Sequence, residues 1–87
     1  MTFKHIKAQC ERWDCELEVA GKKFWLSIES VNNLYYVYFC GDLVPKARQE
    51  VYFYTFNEAR EALIDYVKKI LTKFRDDLNI IINLLPA

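Results

Sequence analysis

At Thr55 the hydrophobic period of this chain changes from two to 3.6. Upstream, Cys15, Leu17 and Val19 alternate with Glu16 and Glu18, the pattern of a half-buried strand. Downstream, Phe56, Ala59, Leu63, Tyr66, Val67, Ile70, Leu71 and Phe74 fall on one stripe, the pattern of a helix with one apolar face. The switch is marked by Thr55-Phe56-Asn57-Glu58. This is a capping box, in which the threonine hydroxyl accepts from the amide three residues on. The charges agree with a helix dipole pointing the same way. Glu58, Glu61 and Asp65 come early, and Lys68, Lys69, Lys73 and Arg75 come late. Asp65 and Lys69 form a favourable i,i+4 pair.

Before the switch the sequence reads as consecutive strands. Cys15–Val19 is followed by Ala20-Gly21-Lys22, a turn, and then by Phe24, Leu26 and Ile28 alternating with Trp25, Ser27 and Glu29. Val31-Asn32-Asn33 is a second turn, since asparagine tolerates the left-handed region. Leu34–Cys40 is a third strand. Gly41–Gln49, polar and interrupted by Pro45, is expected to be a loop, and Glu50–Tyr54 the fourth strand. Short connections favour an antiparallel meander.

The two ends are less determinate. Phe3, Ile6, Cys10 and Trp13 share a helical face behind a possible Thr2 cap, while Ile6, Ala8 and Cys10 also alternate as in a strand; the helix is the preferred reading. Asp76-Asp77 and Asn79 weaken helix propensity, so a break is expected there. The tail from Leu78 to Leu85 then continues the helix, forms a strand, or joins two copies through Ile80–Leu85. The expected fold is α+β: an antiparallel sheet of about four strands against one long C-terminal helix, with a short N-terminal helix, in one domain spanning residues 1–87.

Composition narrows the function. The chain of 87 residues is 53% hydrophobic and 16% aromatic, far from the disordered regime. Twelve basic and twelve acidic residues cancel, so there is no positive field of the kind that drives non-specific nucleic-acid binding. Three cysteines, an odd number, read as reduced thiols. The opening MTFKHIKAQCERWD has no apolar signal segment, and no apolar run reaches the roughly 18 residues that span a bilayer. A soluble, cytoplasmic protein is the expectation.

No constellation for catalysis emerges. His5, Cys10, Cys15 and Cys40 lack the paired spacing of a structural zinc site. His5 is the only candidate base for a cysteine nucleophile, and it sits near a chain end. Glu16 and Glu18 read as a solvated strand face. Two glycines cannot build a phosphate loop. No enzyme, metal or cofactor is therefore expected.

Three features point toward binding instead. The first is the aromatic surplus. Leu34, Tyr36, Tyr38 and Cys40 line one face of the third strand, and Tyr35, Val37 and Phe39 the other; Trp25, Tyr52 and Tyr54 are candidates to extend the second. One helix covers one face only, and tyrosine and tryptophan are enriched at interface hot spots. The second is the loop at 41–49, with Asp42, Lys46 and Arg48. The third is the cluster Glu11, Asp14, Glu16 and Glu18, which with Arg12 gives residues 11–18 a net charge of −3. Such a segment can compete for a basic groove by mimicking phosphates. The expected contact residues are Glu11, Asp14, Glu16, Glu18, Trp25, Tyr36, Tyr38, Asp42, Lys46, Arg48 and Tyr52.

The order of strands followed by Y-T-F-N-E-A-R-E-A and a helix resembles the arm-binding β-β-β-α domains of phage integrases. Thr55, Phe56, Glu61 and Ala62 match the T-F-x-x-x-x-E-A pattern there, with Glu58-Ala59 as a competing alignment. That resemblance implies a DNA-binding accessory domain, in which Lys46, Arg48, Tyr36 and Tyr38 would make the contacts. In size, acidic segment and lack of a catalytic constellation the chain is also similar in type to small phage and mobile-element inhibitors, anti-CRISPR proteins among them. That second likeness implies a non-enzymatic module that occludes a host defence protein, and it is the preferred expectation.

Overall fold

The computed structural model describes residues 2–7, 10–42, 44–48 and 51–86, the segment 44–48 in its backbone alone. Five strands and one helix follow in chain order: β1 (Lys4–Lys7), β2 (Glu11–Val19), β3 (Lys22–Val31), β4 (Leu34–Gly41), β5 (Val44–Arg48) and α1 (Phe56–Leu84). The strands form one antiparallel sheet in the order β1-β2-β3-β4-β5. The fold is α+β, as the change of period at Thr55 implies.

The two tight turns have a common physical basis. Ala20 and Gly21 take φ of 52° and 76°, and Asn32 and Asn33 take 52° and 64°. Two successive positive φ angles match the right-handed twist of the flanking strands. Glycine and asparagine meet that requirement at little cost; Ala20 is the one strained member.

The expected N-terminal helix is absent; Lys4–Lys7 forms β1 instead. Its register against β2 explains why. Lys4 faces Asp14, Lys7 faces Glu11, and the His5 ring stacks on Trp13 at 4.9 Å. Opposite charges and a stacked pair across a ladder stabilise a strand that a helix would forgo.

The expected fourth strand is also displaced. The segment read as a loop contributes β5, paired Gly41↔Val44 and Tyr38↔Arg48. Pro45 is tolerated because β5 is an edge strand. The stretch expected as a strand over Glu50–Tyr54 keeps a single bridge, Tyr35 and Phe53 exchanging two backbone bonds of 2.9 Å. Leu43, Gln49 and Glu50 lie outside the described residues.

Thr55 caps α1 in extended geometry, its Oγ1 accepting from the Glu58 amide at 3.2 Å. The expected break at Asp76-Asp77 does not occur, and the helix runs 29 residues to Leu84, about 43 Å at 1.5 Å per residue. Aspartate in a helix interior costs at most about 0.7 kcal/mol, too little to interrupt a helix this long. Termination comes at Leu85, which is extended (ψ 143°) because the following Pro86 disfavours helical backbone at the residue before it.

The core is one layer between sheet and helix. Cys15, Leu26, Ile28, Val37 and Phe39 from the sheet meet Ala59, Leu63 and Val67 from α1. The helix lies over β3 and β4. Its start is held by aromatic contacts, Phe56 against Trp13 at 5.0 Å and against Phe3 at 6.2 Å. No helix among the described residues is long and apolar enough to cross a membrane.

Candidate functional site

Because side chains alternate across a strand, the register assigns every sheet residue to a face. Trp13, Cys15 and Leu17 oppose Ile28, Leu26 and Phe24, which oppose Val37, Phe39 and Gly41; this is the face under α1. Arg12, Asp14 and Glu16 oppose Glu29, Ser27 and Trp25, which oppose Tyr36, Tyr38 and Cys40. The described residues place no element over this second face. The sequence left undecided which face is open, and grouped Trp25 with Tyr35, Val37 and Phe39. Pairing of Trp25 with Cys40 puts it on the Tyr36–Tyr38 side instead.

The open face is neither flat nor wholly polar. Arg12, Trp25, Ser27, Glu29, Tyr38 and Cys40 surround a shallow depression of about 240 Å³. Trp25, Tyr36 and Tyr38 are half-buried. At one edge the Tyr36 ring approaches Tyr52 at 6.5 Å, and Tyr52 meets Tyr54 edge-to-face at 5.6 Å. Tyr52 and Tyr54 are exposed. The Tyr54 phenol is raised above its ordinary pKa, first by its hydrogen bond with Tyr52 and then by the charge Tyr52 would carry.

The acidic cluster does not present one negative surface. Glu11 lies on the helix-bearing side of the sheet with His5, 4.0 Å away, whereas Asp14, Glu16 and Glu18 lie on the open face. Arg12 pairs with Asp14 at 3.1 Å and Lys23 with Glu16 at 3.4 Å. Glu18 is in no ion pair among the described residues. A strand with Asp14 and Glu16 already paired to cations is a poor mimic of a phosphate backbone. Asp14 Oδ1 is shielded from solvent and meets no donor among the described residues.

Asp42 has a task within the fold. Its carboxylate accepts from the Lys23 amide at 2.8 Å, and its own amide donates to the Lys23 carbonyl at 3.0 Å. These bonds fasten the turn after β4 to the start of β3. Lys46 and Arg48 belong to β5, and their side chains lie outside the described residues; the backbone register puts Arg48 opposite Tyr38. Among the described residues no group of metal-ligating side chains comes together, and Cys10, Cys15 and Cys40 are free thiols.

One apolar surface was only partly read from the sequence. Beyond Ile70 the helix leaves the sheet, and Leu71, Leu78, Ile80, Ile81, Ile82, Leu84 and Leu85 are exposed. The sequence signalled the run at 80–85 but not its continuity with the core stripe, since the expected break at Asp76 separated them. Set against protein families, curated proteins and solved structures, the chain matches none.

Proposed function

We propose that this protein is a non-enzymatic protein-binding module that recognises its partner with the open face of its sheet. The observation that carries the reading is the register pairing of Trp25 with Cys40 and of Ser27 with Tyr38. It gathers half-buried aromatics around a hollow on a face no other described element covers. Large aromatics set in a depression and ringed by polar groups are the usual anatomy of an interface hot spot. Arg12–Asp14 and Lys23–Glu16 supply the polar rim. The exposed Tyr52–Tyr54 pair extends the surface past the edge of β4.

The narrower form of this reading is an inhibitor, of the phage or mobile-element kind, that occludes a defence protein. It rests on the size of the chain and on this broad recognition face, with the paired acidic strand serving as rim. Affinity capture with the full chain and with W25A/Y38A tests the general reading. A specific protein retained by the first and lost by the second is the expected result. Tight, steeply salt-dependent binding of DNA or RNA to the same face would replace it with the nucleic-acid reading.

A further inference from the structure

Along α1, Val67, Leu71, Phe74, Leu78 and Ile81 are spaced four, three, four and three residues apart. This is the seam of a two-stranded coiled coil. Val67 is the last fully buried residue of the stripe that packs on the sheet; farther along the same side of the helix Phe74 is half-buried and Leu71, Leu78 and Ile81 are exposed. The seam is thus the core stripe continued past the end of the sheet that covers it.

We infer that this seam pairs with the same seam of a second copy, in antiparallel orientation. The orientation follows from the fold. The sheet covers the stripe at Ala59, Leu63 and Val67, so a second helix laid parallel and in register would drive its own copy of that segment into the first copy's sheet. Laid antiparallel, the second helix carries its sheet to the tip of the first helix, clear of the first copy's sheet. Two-fold symmetry then sets the layers about residue 76: Leu71 of each copy against Ile81 of the other, and Phe74 against Leu78. The tip of each tail, Ile82 to Leu85, comes to the end of the other sheet that holds Leu17 and Val19, both exposed on the helix-bearing face. An isologous contact of this kind closes at two copies.

The shared seam is short, about 15 Å for ten residues of rise, so the dimer is weak and reversible. The same register brings Arg75 beside Arg75 and Asp77 beside Asp77. Salt screens both exposed repulsions and so tightens the dimer.

Sedimentation of the full chain over a range of concentrations, with I81K and I80K, tests this. Both isoleucines are more than half exposed, so folding survives either change, which far-UV circular dichroism verifies; L78K is a second seam variant. Ile81 is on the seam, and Ile80, one residue away, points off it. The wild type is expected to dimerise more strongly as salt rises, I81K and L78K to lose dimerisation at least tenfold, and I80K to keep it. A wild type that stays monomeric into the millimolar range overturns the inference. So does equal weakening by I80K and I81K, or a dimer that loosens with salt. W25A/Y38A leaves the dimer intact, so failure here and failure of the open-face reading are separate results.

Discussion

Leu63 and Ile81 lie on the same line along α1, eighteen residues and about five turns apart, yet Leu63 is fully buried and Ile81 is 54% exposed. The helix outruns its sheet without changing its apolar face. Leu63→Ala is therefore expected to cost about 2–5 kcal/mol, as for other fully buried leucines. Ile81→Ala in the dilute monomer should stay within about 0.5 kcal/mol of the parent. Urea unfolding at low protein concentration measures both, and comparable losses would mean that the tail is packed.

The start of α1 depends on one side chain. Removing the Thr55 hydroxyl in T55A leaves the Glu58 amide without its acceptor, a loss of about 1 kcal/mol. T55S should recover most of it in the same unfolding measurement.

Gly41 is required for space. A Cβ added there would lie 2.5 Å from Phe24 Cδ1 and 3.0 Å from the Lys23 carbonyl oxygen. The backbone oxygen is held by the Asp42 amide, so it cannot move aside freely. G41A is expected to destabilise by about 1–3 kcal/mol, the range for overpacking. A neutral result in thermal unfolding would show that the Phe24 ring turns away without cost.

How much of this was legible in the sequence varied with the range of the interactions. Both hairpin turns and the start of α1 were readable, since Gly21, Asn32, Asn33 and Thr55 act within a few residues of themselves. β1 was not. Its four residues pair with Glu11–Asp14 through contacts that a helical spacing of Phe3, Ile6, Cys10 and Trp13 conceals. β5 was hidden by Pro45, which excludes a central strand but not an edge one. The open face was legible as an aromatic surplus, and its composition was not, because assigning Trp25 to the Tyr38 side requires the register between β3 and β4. The pairing of Asp14 and Glu16 with Arg12 and Lys23 likewise depends on which residues share a face.

The Tyr52–Tyr54 pair gives the open face a spectroscopic signature. Tyr54 holds its proton more tightly in the folded chain, because ionising it breaks the hydrogen bond with Tyr52 and places two phenolates together. The folded pKa is raised, so this contribution to stability is complete below the ordinary tyrosine range near 10 and is lost as pH rises through the folded value. Phenolate absorbance should show one tyrosine titrating late, and Y52F should return it to the ordinary range. An unchanged late titration in Y52F would place the cause elsewhere.

The most direct test of the central claim is quantitative affinity capture with three forms of the chain: wild type, W25A/Y38A on the open sheet face, and I81K on the helix tail. Recognition through the open face predicts a specific protein partner held equally by wild type and I81K and lost at least tenfold by W25A/Y38A. Undiminished capture by a folded W25A/Y38A would contradict it.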